Sequence, residues 1–251
     1  MTATRLSAQH CSLGALSLAT LLALLPFPSG AAGITGSGVA KTETRPASGF
    51  HAVVLGVPAK VELRQGATEG LSITGDENIV PLIETVVENG SLKIRWKDKD
   101  NTSIDFKNLE IVVNAKNIDV VTVGGSGNVH ANELKTGDLR MTIGGSGQIA
   151  VDKLEADTVR ASIAGSGGLI AAGRASSLDV SMAGSGDLEA GKLESRRVKV
   201  TLQGSCRAAV WAKDILQATI AGSGEVTYRG SPQVSQTIAG SGSVRPAVGA
   251  S

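Results

Sequence analysis

The 251 residues carry 24 basic and 23 acidic side chains spread along the chain, a formal charge of +1, which leaves no broad electrostatic footprint for nucleic acid or an anionic membrane. Aromatics make up 2% of the sequence, too few for stacking platforms under bases. The 32 glycines follow no G-X-Y period, and the abundance of Val, Ile and Leu excludes a disordered Gly/Ser linker.

Residues 1–32 read as a secretory signal peptide. Arg5 supplies a thin positive n-region, Leu13 to Leu25 an apolar core, and Ser29-Gly30-Ala31 or Gly30-Ala31-Ala32 a small-residue cleavage site, so cleavage is expected after Ala31 or Ala32. The alternative is an uncleaved anchor, against which stand the short apolar run and the interruptions at Pro26 and Pro28. No later segment reads as a bilayer span. Cys11 falls inside this signal, behind Ser7-Ala8-Gln9-His10, which does not resemble a lipoprotein cleavage box. Cys206 is then the single cysteine of the mature chain, so its fold must hold without an internal disulfide even in an oxidising compartment.

Residues 33–48, with an outlying Gly36-Ser37-Gly38, are expected to form a flexible lead. Residues 49–117 alternate as strands do at Ala52 to Val57, Lys60 to Arg64, Leu71 to Thr74, Leu92 to Trp96 and Leu109 to Val113, without a corner motif. They are expected to be opening rungs or an N-terminal cap of the same domain, with a short helix near Glu77 to Val87 despite Pro81.

Residues 118–246 are governed by repetition. Gly-Ser-Gly, or a close variant, begins at Gly125, Gly145, Gly165, Gly184, Gly204, Gly222 and Gly240, with successive spacings of 20, 20, 19, 20, 18 and 18. Ahead of the corners stand Leu139 to Ile143, Val159 to Ile163, Leu178 to Met182, Val198 to Leu202, Leu216 to Ile220 and Val234 to Ile238, each a period-2 strand with one apolar face. The outward slot before the last apolar residue is always Thr or Ser, which predicts a column of hydroxyls up one wall. After each corner an inward residue recurs at Val129, Ile149, Leu169, Leu188, Ala208, Val226 and Val244, and Leu134, Leu154 and Leu193 supply a third inward position. The pattern predicts an all-β fold, a parallel β-helix or β-solenoid of about 18 to 20 residues per rung with Gly-Ser-Gly corners. The crossover rule makes it right-handed. A single rung cannot stand alone: ordering each residue costs about 1 to 2 kcal/mol, whereas each inward side chain returns only about 1.5 to 3 kcal/mol. Rungs stacked about 4.8 Å apart satisfy the backbone and merge the interiors. Cys206 occupies the third corner position, where other corners have Gly, so that position does not demand positive φ, whereas the first one does. Gln236 places an amide in an inward slot of the last complete rung, and residues 247–251 form a tail that could cover the sheet edge there.

The recurring Gly-Ser-Gly-polar-apolar corners, with Ser48-Gly49-Phe50-His51-Ala52-Val53 and Gly75-Asp76-Glu77-Asn78 upstream, resemble the head GIN domain family of autotransporter-type adhesins over roughly residues 46 to 245. The resemblance implies an exported bacterial β-solenoid with an adhesive role and carries no catalytic residues. Unlike an autotransporter, the sequence has no alternating barrel strands behind its repeats.

Candidate chemistry is sparse. The outward column Arg140, Arg160, Asp179, Lys199, Gln217 and Ser235 mixes signs, as does Asn128, Gln148, Gly168, Asp187, Arg207, Glu225 and Ser243. Asp187 and Glu225, two rungs and about 10 Å apart, are the one candidate acid pair for a polysaccharide-acting enzyme on a β-helix. The corner serines read as turn residues, since a nucleophile would not be copied in every rung. His51 and His130 are too isolated for a zinc site, only Asp187 matches the aspartates of calcium-binding β-rolls, and no phosphate loop is present. No catalytic, cofactor-binding or metal residue is therefore assigned. The sequence reads as a non-enzymatic binding or scaffold domain, periplasmic or at the cell surface. A surface glycan or an envelope protein is the class of ligand it points to, nucleic acid is not a partner, and the end rungs offer a route to homo-oligomers.

Overall fold

The computed structural model describes residues 33–98 and 104–247. The expected signal peptide and residues 248–251 of the tail lie outside them. The chain is extended almost throughout. β1 (Ile34–Thr35), β2 (Ala40–Arg45), β3 (Ala52–Leu55), β4 (Lys60–Gln65), β5 (Gly70–Asp76), β6 (Ile83–Glu88), β7 (Ser91–Trp96), β8 (Ile104–Asp105), β9 (Leu109–Ala115) and β10 (Val120–Gly125) precede long strands that each run from one glycine corner to the next. These are β11 (Asn128–Gly145), β12 (Gln148–Gly165), β13 (Gly168–Gly184), β14 (Asp187–Gly204) and β15 (Arg207–Gly222). β16 (Glu225–Arg229), β17 (Gln233–Gly240) and β18 (Ser243–Pro246) end the stack.

Every neighbouring pair from β10 upward is parallel, and in register apart from local shifts within β12–β13, β13–β14 and β14–β15, which makes the domain a β-solenoid. The inward residues fall into vertical files. Ile94, Leu55, Val123, Ile143, Ile163, Met182, Leu202, Ile220 and Ile238 form one. Ile111, Val61, Val129, Ile149, Leu169, Leu188, Ala208, Val226 and Val244 form another. Apart from the last residues at the C-terminal end, both files are buried and belong to one continuous core. The hydroxyl column is present as well: Thr122, Thr142, Ser162, Ser181, Thr201, Thr219 and Thr237 are register partners on the outer side of one wall. The file of third leucines has one interruption. Gly173 stands between Leu154 and Leu193, at φ +124°, where a Cβ would lie 2.1 Å from the Leu154 carbonyl oxygen. The one-residue deletion in that rung is absorbed there, with a register shift between Val151 and Leu154.

At the N-terminal end the parallel stack continues through β3 and β7 on one wall and β4 and β9 on another, then turns antiparallel. β6 folds back on β7, β5 on β9, and β2 on β5. The expected helix at Glu77 to Val87 is replaced by a single 3-10 turn at Val80–Leu82, followed by β6. Ile83, Thr85, Val86 and Val87 are β-branched and favour the strand. Asn89 (φ 52°) and Gly90 (φ 73°) supply the left-handed pair of a tight hairpin turn into β7. The lead, expected to be flexible, carries β2, and its Gly36-Ser37-Gly38 segment is tied down: Ser37 and Gly38 N–H groups donate to Asn78 Oδ1 (2.9 Å) and Asp76 Oδ1 (3.0 Å). Arg45, largely buried, donates to the carbonyls of Ile83 (2.7 Å) and Val80 (3.0 Å), clamping β2 to the turn. The Gln65 amide bridges to the corner of β11, accepting from Lys135 N–H (2.8 Å) and donating to its carbonyl (3.0 Å), as a lower rung would.

The corners divide their demands between two glycines. Every first-position glycine from Gly125 to Gly240 has φ between +97° and +127°, whereas the third-position glycines do not, as Cys206 in that slot implies. A Cβ on Gly165 would stand 2.5 Å from the Gly145 carbonyl oxygen, while one on Gly144, which is not left-handed, would meet nothing within 4 Å. Gly165→Ala is therefore expected to destabilise the fold by about 1 to 3 kcal/mol or more, and Gly144→Ala to leave it within about 0.5 kcal/mol of wild type; urea unfolding followed by circular dichroism checks both.

Candidate binding surface

The outer walls carry what the interior cannot. On the side opposite the glycine corners, Lys135, Glu155, Arg174, Glu194, Trp211 and Arg229 are successive register partners, so four charges alternating in sign lead to an outward, half-buried indole and then to Arg229. The alternation follows from the stack: residues in register sit about 4.8 Å apart, where like charges repel and opposite charges support each other. Lys135 Nζ lies 3.3 Å from Glu155 and Lys213 Nζ 3.0 Å from Glu194. Alongside runs a second file of Gly137, Asp157, Ser176 and Arg196, and between them opens a trough of about 590 Å³. On the adjoining wall, Arg140, Arg160 and Asp179 with Thr142, Ser162 and Ser181 frame a smaller hollow of about 340 Å³.

The candidate acid pair is not brought together. Asp187 and Glu225 are both register partners of Arg207, which stands between them. Arg207 Nε donates to Asp187 Oδ1 at 2.9 Å, and Arg245 bonds Glu225 from the other side. The hydrogen bond to Asp187 raises the Arg207 pKa above its usual value, with the charges of Asp187 and Glu225 adding to it. The site that a sugar would occupy between two catalytic carboxylates holds a guanidinium instead. His51 Nδ1, just before β3, pairs with Asp119, just before β10, at 2.7 Å, and His130 Nε2 on β11 pairs with Asp152 on β12 at 3.0 Å; among the described residues no three of His, Cys, Asp and Glu gather as metal ligands. Corner serines Ser146, Ser166, Ser185, Ser205, Ser223 and Ser241 use their backbone N–H groups to bond the first-position glycine carbonyl one rung below, at 2.9 to 3.0 Å, which is a turn function.

Cys206 is fully buried, and burial pushes its thiol pKa up, against hydrogen bonds to backbone that act the other way. A thiol so placed is inert. What admits its side chain is the rung beneath. A Cβ added at Gly147, Gly167, Gly186 or Gly242 would meet a branch methyl of Val123, Ile143, Ile163 or Ile220 at 2.5 to 2.9 Å, as well as the carbonyl oxygen of the third-position glycine beneath at 2.3 to 2.7 Å. The corresponding residue under Cys206 is Met182, unbranched at Cβ. The sequence contains this compensation, but it is legible only once the rungs are aligned.

Fold and surface together define the class: a parallel β-solenoid, antiparallel only at its N-terminal end, with a filled interior and polar lateral walls. The match of residues 49–232 to the family described as "Putative auto-transporter adhesin, head GIN domain" shows that the chain belongs to that family. Its fold is that of a "putative adhesin" of known structure from Bacteroides fragilis (24% identity, 86% of this chain and 100% of that one, TM-score 0.80). It is similar to a "putative lipid binding protein" from Parabacteroides distasonis (28%, 85% and 99%, TM-score 0.72) and to a "putative adhesin" from Parabacteroides merdae (25%, 85% and 98%, TM-score 0.68). No curated protein matches the chain. No helix among the described residues is long and apolar enough to cross a membrane.

The packing account of Cys206 makes a coupled prediction. Met182→Ile is expected to destabilise the chain by about 1 to 3 kcal/mol through overpacking, and Cys206→Gly to remove most of that loss when the two are combined; a double-mutant cycle in urea measures the coupling.

Proposed function

We propose that the chain is an exported, non-enzymatic adhesin-like module of the bacterial cell envelope, and that its lateral trough engages a polar surface ligand, a cell-surface glycan before an envelope protein. The observation that carries this reading is the ordered file Lys135, Glu155, Arg174, Glu194 and Trp211 beside a trough of about 590 Å³. Register locks donors and acceptors at regular intervals along the stack, with the half-buried Trp211 indole next in file beyond Glu194. A preformed array of this kind binds an extended polar chain at little ordering cost. Membership of the head GIN family supports the adhesive role.

The relative described as lipid-binding suggests a second ligand class. An acyl chain would have to lie on the surface, because the interior is filled by the core files. The open hollow of about 420 Å³ bordered by Ile170, Ala172, Ala209 and Val210 is the place it would use.

Purified chain screened against glycan arrays, matrix proteins and lipid vesicles is expected to retain glycans, with Trp211→Ala and Arg174→Glu each weakening retention about tenfold or more while leaving the circular dichroism melt unchanged. Retention of vesicles alone, or of nothing in the screen, contradicts the proposal.

A further inference from the structure

Among the described residues, the C-terminal end of the stack is open on one wall and guarded on another. β18 carries Arg245 and ends in Pro246, and a charge and a missing N–H are devices that keep a sheet edge from pairing. β17 carries neither. Between Arg229 and Arg245 the sequence has no charged residue, β17 pairs only with β15 among the described residues, and all eight of its residues are exposed. Val234 and Ile238, inward in the repeat, are each 37% exposed. Gln236 ends a file that is otherwise apolar: Leu92, Val53, Val121, Met141, Ala161, Val180, Val200 and Ala218.

Two further features specify what such an edge fits. The first is peptide direction. Ser241 N–H donates down to the Gly222 carbonyl, and in the equivalent rung position of Ser235, Arg140 N–H donates down to Asp119. Peptides alternate along a strand, so the N–H and C=O groups of Val234, Gln236 and Ile238 point off the end of the stack. The second is chemical symmetry about Gln236. Val234-Ser235-Gln236-Thr237-Ile238 reads the same in both directions as apolar, hydroxyl, amide, hydroxyl, apolar.

We propose that β17 is a homodimer edge, pairing antiparallel with β17 of a second copy about a two-fold axis through Gln236. In that register Gln236 faces its own copy, and Val234 faces Ile238 on the core side. Ser235 faces Thr237 on the outer side. The outward-pointing N–H and C=O groups of residues 234, 236 and 238 all fall at hydrogen-bonded positions of the antiparallel ladder. The two interiors join, and the two Gln236 amides, each both donor and acceptor, bond across the axis. A parallel, head-to-tail partner would not use the symmetry, and the strands at the opposite end of the stack, β6 and β2, run antiparallel to the strands they pair with. An isologous contact closes at two copies, whereas a head-to-tail contact would propagate. This inference stands apart from the ligand reading, since β17 lines neither the 590 Å³ trough nor the hollow beside it.

Sedimentation equilibrium of the purified chain tests it. The expected result is a monomer–dimer equilibrium. Gln236→Lys and Gln236→Glu, each placing like charges on the axis, should raise the midpoint concentration about tenfold or more, and an equimolar mixture of the two variants should recover the dimer. Retained circular dichroism melts in both variants separate lost pairing from lost folding. A chain that stays monomeric at millimolar concentration, a dimer unaffected by either variant, or a mixture that fails to recover overturns the proposal.

Discussion

The structure depends on close vertical approach of backbones at the glycine corners. Each corner bonds the one beneath through the serine N–H and a glycine carbonyl at 2.9 to 3.0 Å, with no room for a Cβ at the first position and little at the third. Those contacts set the rung spacing and hold the register through strands of 16 to 18 residues, with irregularities confined to the far corner. Once register is fixed, burial follows: inward residues stack into files, and the chain needs neither a disulfide nor a layer of helices to keep water from its core.

The same constraint writes the outer surface. A side chain on one rung meets its register partner about 4.8 Å away, so sign alternates along Lys135, Glu155, Arg174 and Glu194 and along Asp187, Arg207 and Glu225. Arg140 over Arg160 breaks the rule, and Arg160 turns toward Asp138 at 3.5 Å while its other register partner is Asp179. Exposed pairs of this kind contribute little stability individually, about 0.2 to 1 kcal/mol. Their consequence is geometric: they fix side chains in rows, and rows present a ligand with a regular pattern. Arg207 is where this logic and catalysis would compete, and the ladder occupies the space.

Much of this was legible in the sequence because a repeat with glycine corners leaves few alternatives. The spacing of Gly125 to Gly240 fixes which residues share a file, and the hydroxyl column and the core files follow from it. Cys206 carried the division of labour between first and third glycines. Elsewhere local chemistry was misread. The segment Glu77 to Val87 suggested a short helix, but β-branching at Ile83, Thr85, Val86 and Val87 and the Asn89-Gly90 turn decide for a hairpin. The lead around β2 lacked any pattern long enough to reveal Arg45 and Asn78, whose partners are distant in sequence. The trough residues could not be singled out, because they are ordinary surface charges until the far corner aligns them. Nor could the interruption at Gly173, which looks like any loop glycine until Leu154 is beneath it. The symmetry of residues 234–238 was readable, but it means nothing until β17 is known to be an edge.

Distances up the hydroxyl column test the central claim most directly. With the native cysteines replaced, spin labels at Thr142 paired in turn with Thr201, Thr219 and Thr237 sample three, four and five steps of the same file, so label geometry cancels between pairs. Double electron–electron resonance should give separations rising linearly, by about 4.8 Å per rung, to roughly 24 Å for the longest pair. Separations that do not increase evenly, or that place Thr237 nearer to Thr142 than Thr219 is, would contradict an in-register stack.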